Sequence, residues 1–298
     1  MTKISWKTFF IFFIFFTFSK FSVASVTPFE YYQRLIFLYL QVNNTDSLLF
    51  LLDTGANTSA IDSAAAEALQ LKNCGSSADE GTAGTVTVQN VIVPLVKVGD
   101  KTIQELRMTK YSLANSLAPP GKKIDGILGT DFLKHFCVSI DFSQKELILS
   151  GHALAGNKAK SFPFIMDNGI PKIKTTLNKK VHTYLRYDSG SSLFETKDVY
   201  INITTAIWDE LTKSDSTINT GKFLTATGIG GEIKLPLGKI KQIDLVNDNF
   251  KGNVYVICQP HQGYFSRADA VGFFGNNLFE KFHKIEIDFK AKRIYIPG

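Results

Sequence analysis

Two segments of the 298-residue chain carry a pattern able to do chemistry, Asp53-Thr54-Gly55 and Asp188-Ser189-Gly190. Each follows an apolar run and joins a carboxylate to a hydroxyl residue and a glycine. Two carboxylates held close together cannot both ionise easily, so one keeps a proton while the other is charged. Such a pair offers a base for water and an acid for a leaving group, as hydrolysis requires when neither metal nor covalent nucleophile takes part. The plainer reading of either aspartate is an Asx-turn or helix-cap carboxylate, a common role for Asp before Gly. Gly55 and Gly190 suit a sharp turn with no Cβ beside a reacting group.

Other chemistries lack their residues. His135, His152, His182, His261 and His283 show no H-E-x-x-H or similar ligand spacing, so no metal site is expected. No G-x-S-x-G elbow or Walker loop occurs, and no cofactor is expected. Gly228-Ile229-Gly230-Gly231 matches too few positions of a dinucleotide fingerprint and reads as a hairpin tip. Of three cysteines, Cys137 lies in an apolar run and reads as a buried thiol. A Cys74–Cys258 bridge is left open.

The elements that must position the triplets come in two sets. Residues 35–42 and 47–52 read as a hairpin around the turn Asn43-Asn44-Thr45-Asp46, ending at Asp53. Residues 170–177 and 181–187, around Asn178-Lys179-Lys180, repeat it and end at Asp188. Both sets close alike. Gly126-Ile127-Leu128-Gly129 and Gly272-Phe273-Phe274-Gly275 each lead to a short helix-like stretch, over 131–136 and 277–282. Ile140-Asp141-Phe142 and Ile287-Asp288-Phe289 follow, then last strands over 146–149 and 293–296. Asp125, Asp141 and Asp288 read as turn residues satisfied by backbone N–H groups. Asp62 is expected to cap an Ala-rich helix through Leu69, with residues 204–211 as its weaker counterpart. The division is therefore 25–150 and 163–298, joined by a Gly/Ala/Lys-rich linker at 151–162.

The remaining 1–24 read as an address rather than fold. Lys3 and Lys7 precede an apolar-rich run, and Ser22-Val23-Ala24 offers a signal-peptidase site. The run is too short to span a bilayer, so an exported chain with no stable membrane span after cleavage is expected. Lys3, Lys7 and Lys20 carry half of the formal charge of +6, and eight of the 25 Phe lie in this stretch. The residual charge is scattered, with no RNP, helix-turn-helix or finger pattern, so nucleic acid is not an expected partner.

The string Phe50-Leu51-Leu52-Asp53-Thr54-Gly55-Ala56 and the segment 125–133 resemble the aspartic protease clan, retropepsin and pepsin among its members. The second segment is especially similar to bacterial retropepsin-like members. The resemblance covers residues 30–298 as two lobes. It implies a mostly β fold of duplicated, closed β-barrel lobes with a few short helices, acting as a monomer on peptide or protein substrates. It implies that Asp53 and Asp188 form a catalytic dyad, one from each lobe. Thr54 and Ser189 would hydrogen-bond across to the other lobe and, with Gly55 and Gly190, support it. It also implies flap hairpins at residues 81–84 and 228–231, with Gly84 and Gly230 against substrate; ordinary mobile loops are the alternative. The tips lack the Tyr typical of the pepsin flap.

Strand alternation puts residues two before each aspartate on its face: Leu51 in one copy, Arg186 in the other. The resemblance makes this a substrate pocket, where a guanidinium can select an acidic side chain. It can instead hold Asp188 ionised, or simply sit at a wet strand end. The residues after each Gly, Ala56 and Ser191, also differ; a hydroxyl there can bond the carboxylate, and for such a mixture the resemblance implies a broad, mildly acidic optimum. Two functions fit the sequence, an aspartic endopeptidase and a non-catalytic relative that binds peptides.

Overall fold

Alternation of apolar and polar side chains along short runs makes strands of most of this chain. The computed structural model describes residues 25–43, 47–156, 158–193, 198–228, 231–245 and 248–297. The expected leader, the turn residues Asn44-Thr45-Asp46, and Ile229 and Gly230 lie outside the described residues. The first half begins β1 (Val26–Tyr32), β2 (Leu35–Val42), β3 (Leu48–Leu52), β4 (Ala60–Asp62), α1 (Ser63–Ala68), β5 (Lys72–Glu80), β6 (Thr85–Val98) and β7 (Lys101–Tyr111). It closes with β8 (Gly126–Leu128), α2 (Thr130–Leu133), β9 (Cys137–Asp141) and β10 (Glu146–Ser150). The second half starts β11 (Lys160–Pro163), β12 (Ile165–Asp167), β13 (Ile170–Leu177), β14 (Val181–Tyr187), β15 (Val199–Thr204) and α3 (Thr205–Ser214). It continues β16 (Asn219–Gly228), β17 (Gly231–Leu245), β18 (Asp248–Gln259), β19 (Gly272–Phe274), α4 (Asn276–Phe279), β20 (Lys284–Asp288) and β21 (Arg293–Ile296).

Each half closes a ring of strands. In the first the order is β2-β3-β8-β4-β7-β6, and β6 returns to pair β2 at Gln41↔Lys97. In the second it is β13-β14-β19-β15-β18-β17, and β17 returns to β13 at Thr175↔Leu245. Strand directions match too, since β3–β8 and β14–β19 are both parallel, as are β4–β7 and β15–β18. A closed ring leaves no unpaired edge around the core. The expected mostly β, duplicated fold of closed barrels with few short helices is what the chain adopts.

A third sheet joins the halves, in the order β11-β21-β20-β9-β10-β1. Its centre is the antiparallel pair of β9 and β20, running from Lys284↔Asp141 to Asp288↔Cys137. Val138, Ile140, Ile285 and Ile287 are fully buried there, in one apolar core that extends into both halves. Burying each such side chain contributes about 1.5–3 kcal/mol. The β1–β2 turn adds a second fastening. Gln33 and Arg34 both have positive φ, and the turn reaches Glu280 through Arg34 (Nε to Oε1, 3.1 Å) and Asn276 through the Arg34 carbonyl (2.6 Å).

Some local expectations shift. The described residues of 151–159 form no helix or strand, but the linker ends earlier than its composition suggests, because residues 160–162 already belong to β11. Asp62 caps α1 by accepting from Ala64 N and Ala65 N. The helix after Thr204 is the longer of the two, not the weaker, because Trp208 and Leu211 anchor one face of α3 while α1 buries only Ala66. Asp125, Asp141 and Asp288 accept from backbone N–H groups of Leu49, Ser143 and Ala291. All three thiols are free; Cys74 is exposed, Cys137 and Cys258 buried.

Candidate functional site

The hairpins β2–β3 and β13–β14 deliver the two triplets to one place, at the junction of the halves. Each triplet is held from behind by its closing segment: Asp53 N donates to Leu128 O (3.0 Å) and Asp188 N to Phe274 O (2.9 Å). Approach is close enough that a Cβ on Gly55 would lie 2.4 Å from the Asp188 carboxyl carbon. A Cβ on Gly190 would lie 2.4 Å from that of Asp53. Glycine is therefore needed for space at both positions. The two carboxyls lie within hydrogen-bonding reach of one another.

Thr54 and Ser189 are fully buried beneath them and interlock. Thr54 Oγ1 donates to Tyr187 O (2.8 Å) and accepts from Ser189 N (3.0 Å). Ser189 Oγ donates to Leu52 O (2.8 Å) and accepts from Thr54 N (2.9 Å). Every bond runs between the halves, and every partner outside the two hydroxyls is backbone, so the geometry depends on chain position rather than on soft side chains. Tyr187 packs under Asp188 against Phe274 and Phe279, its hydroxyl donating to Asn276 Oδ1 (2.6 Å).

Each aspartate also makes the local turn that its sequence invites. Asp53 Oδ1 accepts from Gly55 N (2.7 Å) and Ala56 N (3.2 Å), and Asp188 Oδ1 from Gly190 N (3.1 Å). The turn and the carboxyl pair are thus one arrangement. Loss of hydration raises both carboxyls above the ordinary range. Asp188 rises much further, because burial is joined by the charge of Asp53 and their mutual hydrogen bond. Asp53 is held lower by its backbone donors. Both carboxyls are thus biased toward holding a proton, Asp188 the more strongly.

Leu51 sits in an apolar cluster with Leu35, Phe37, Leu49, Leu113 and Ile124. The strand register gives Arg186 the matching position in the second half, and Lys172 that of Phe37. There the cluster is charged. Arg186 is 9% exposed, its Nε and Nη2 lie 2.9 and 2.8 Å from Asp167 Oδ2, and Lys172 Nζ is 4.0 Å from the same oxygen. The Tyr264 ring covers the guanidinium at 3.8 Å, and its hydroxyl reaches Asp167 at 3.3 Å. A wet strand end is thereby excluded for Arg186. It also does not hold Asp188 ionised: its charge lowers Asp188 only as a minor influence, and Asp167 already neutralises it. Ser191 meets Asp188 through backbone, N to O at 3.1 Å, with no hydroxyl bond to the carboxyl found among the described residues.

Gly84 lies in the tip between β5 and β6, where its carbonyl accepts from Gly81 N (2.8 Å). Asp167 and Tyr264 were not apparent from sequence, because neither has a repeated context. A hint was available, since a charged residue two before Asp188 on a strand this apolar requires a counter-ion.

A family model described as aspartyl protease matches residues 38–132, from β2 to α2, a span that includes the first triplet and its closing segment. No curated protein matches the chain.

Proposed function

We propose, from the match of residues 38–132 to the aspartyl protease family model, that the chain is an endopeptidase of that clan whose Asp53 and Asp188 hydrolyse peptide bonds together. A water held between the carboxyls attacks the scissile carbonyl while ionised Asp53 takes its proton. Protonated Asp188 donates to the carbonyl oxygen, giving a tetrahedral diol. The pair then returns a proton to the nitrogen as the C–N bond breaks, leaving acid and amine and a restored dyad. No group of the chain becomes covalently attached. The observation that carries this reading is the reciprocal seating of each carboxyl against the other triplet's glycine, above the Thr54–Ser189 interlock.

The reading extends to an exported monomer that meets peptide or protein substrates outside the cytoplasm, with Leu51, Arg186 and Gly84 facing the bound chain. One observation favours a second reading, a peptide-binding relative: the charged cluster under Asp188 departs from the apolar one under Asp53. Incubating residues 25–298 with a diverse peptide pool from pH 3 to 8, beside Asp53→Asn and Asp188→Asn, separates them. Cleavage should peak where one proton is shared and vanish in both variants. Cleavage surviving both substitutions would exclude the dyad, and none by the intact chain at any pH would leave the binding module.

A further inference from the structure

We infer that residues 262–267, in the loop between β18 and β19, are the seat of the 81–84 tip, and that Gly263 is a positioning residue for the reaction. The role in the reaction rests on the proteolytic reading above; the seat itself does not.

Four contacts cross from one half to the other. Tyr264 N donates to Gly81 O (2.9 Å) and Gln262 Nε2 reaches Ala83 O (3.4 Å). Arg267 Nη1 lies 3.7 Å from Glu80 Oε2. Ala83 packs against the apolar face formed by Tyr200, Ile233, Leu235 and Ile257. The fit is tightest at Gly263, whose φ is +50°: a Cβ there would lie 2.2 Å from Gly81 O and 2.8 Å from Gly84 N. Only glycine leaves room for the tip.

The seat lies on the Asp188 side. Tyr264 gives its backbone N–H to the tip and its ring to Arg186, two residues before Asp188 on β14. One residue thus ties closure of the hairpin to the strand that carries half of the dyad. The bonds are few: one ordinary backbone hydrogen bond, one long amide contact and a part-exposed ion pair of the kind that contributes little. Such a seat can release the tip to admit a peptide and take it back to hold the peptide against the carboxyls, which is how a closing hairpin contributes to rate.

The test is Gly263→Ala in residues 25–298, with Gly221→Ala as the control, since Gly221 has φ +69° but open space for a Cβ. The first readout is hydrogen exchange at the Tyr264 amide, whose acceptor is the tip. The second is kcat and KM on a cleaved peptide. Gly263→Ala should lose Tyr264 protection and lower kcat/KM by about ten- to a hundredfold, mainly through KM, while the control keeps both. Ala83→Asp, which alters the tip and leaves the loop untouched, should do the same if Gly263→Ala does not fold. Retained protection in the altered chain overturns the seat. Lost protection with unchanged kcat/KM overturns the positioning role. An intact chain that cleaves nothing would sink the proteolytic reading and the positioning role with it, while Tyr264 protection still decides the seat.

Discussion

Replacing Thr54 by Val tests whether the interlock beneath the carboxyls is what joins them. The change keeps the shape and deletes one hydroxyl at a site with no solvent access. That hydroxyl serves two buried backbone groups of the other half, Tyr187 O at 2.8 Å and Ser189 N at 3.0 Å. Leaving each without a partner costs about 1–3 kcal/mol, so the pair costs roughly 2–6 kcal/mol. Around a central figure of about 4 kcal/mol, the melting temperature of a protein this size should fall by roughly 8–16 °C. Ser189→Ala removes the mirror-image pair, to Leu52 O and from Thr54 N. Because the four bonds interleave, the double variant should cost less than the sum of the singles, with a coupling of about 0.5–3 kcal/mol. Thr54→Ser keeps the hydroxyl and should restore most of both stability and activity. Thermal unfolding of the four chains, paired with kcat on one peptide, reads the cycle. A Thr54→Val chain within about 1 kcal/mol of the original and with undiminished kcat would refute the reasoning, as would strict additivity.

Further expectations concern charge. Asp188 is raised in the folded chain, so its proton stabilises the fold at acid pH, below the unfolded-state value, and that contribution is lost as pH rises through the folded value. Asp188→Asn should therefore raise the melting temperature at neutral pH, with a gain that shrinks toward pH 4; an equal gain at both would contradict the assignment. Activity should be bell-shaped in pH, its acid limb set by protonation of the pair's charged member and its alkaline limb by loss of the shared proton. A profile with one limb only would argue against a shared proton. Arg186→Leu should cost about 3–5 kcal/mol by leaving Asp167 under-compensated in a buried site, with Lys172 at 4.0 Å its remaining partner. The double change with Asp167→Leu should recover much of that loss. Arg186→Leu should also shift cleavage preference at one flanking subsite, and an unchanged profile measured on a peptide library would remove Arg186 from the pocket.

The hairpins that carry the triplets were legible because their apolar residues alternate and their turns are rich in Asn: β13 and β14 fall where the pattern puts them. β5 was not, since Lys72–Glu80 is a polar, mostly exposed run whose backbone pairs with β6. The third sheet was hidden for another reason. Its central pair unites residues near 139 with residues near 286, and nothing local in either run names the other. The same distance effect hid the partner of Arg186. Asp167 sits on a three-residue strand whose pairing is settled by the barrel, not by its own pattern.

The pairing of β9 with β20 is symmetric about Ser139 and Glu286, with Lys284 opposite Asp141 at one end and Asp288 opposite Cys137 at the other. Such symmetry is that of a homodimer, in which any substitution lands twice and on both sides of the active centre at once. Here a single chain holds both partners, and the constraint is gone. One half can keep Leu51 and Phe37 where the other acquires Arg186 and Lys172; one can supply the strap and the other its buckle. Tethering two copies converts an obligation to be identical into a licence for each to specialise.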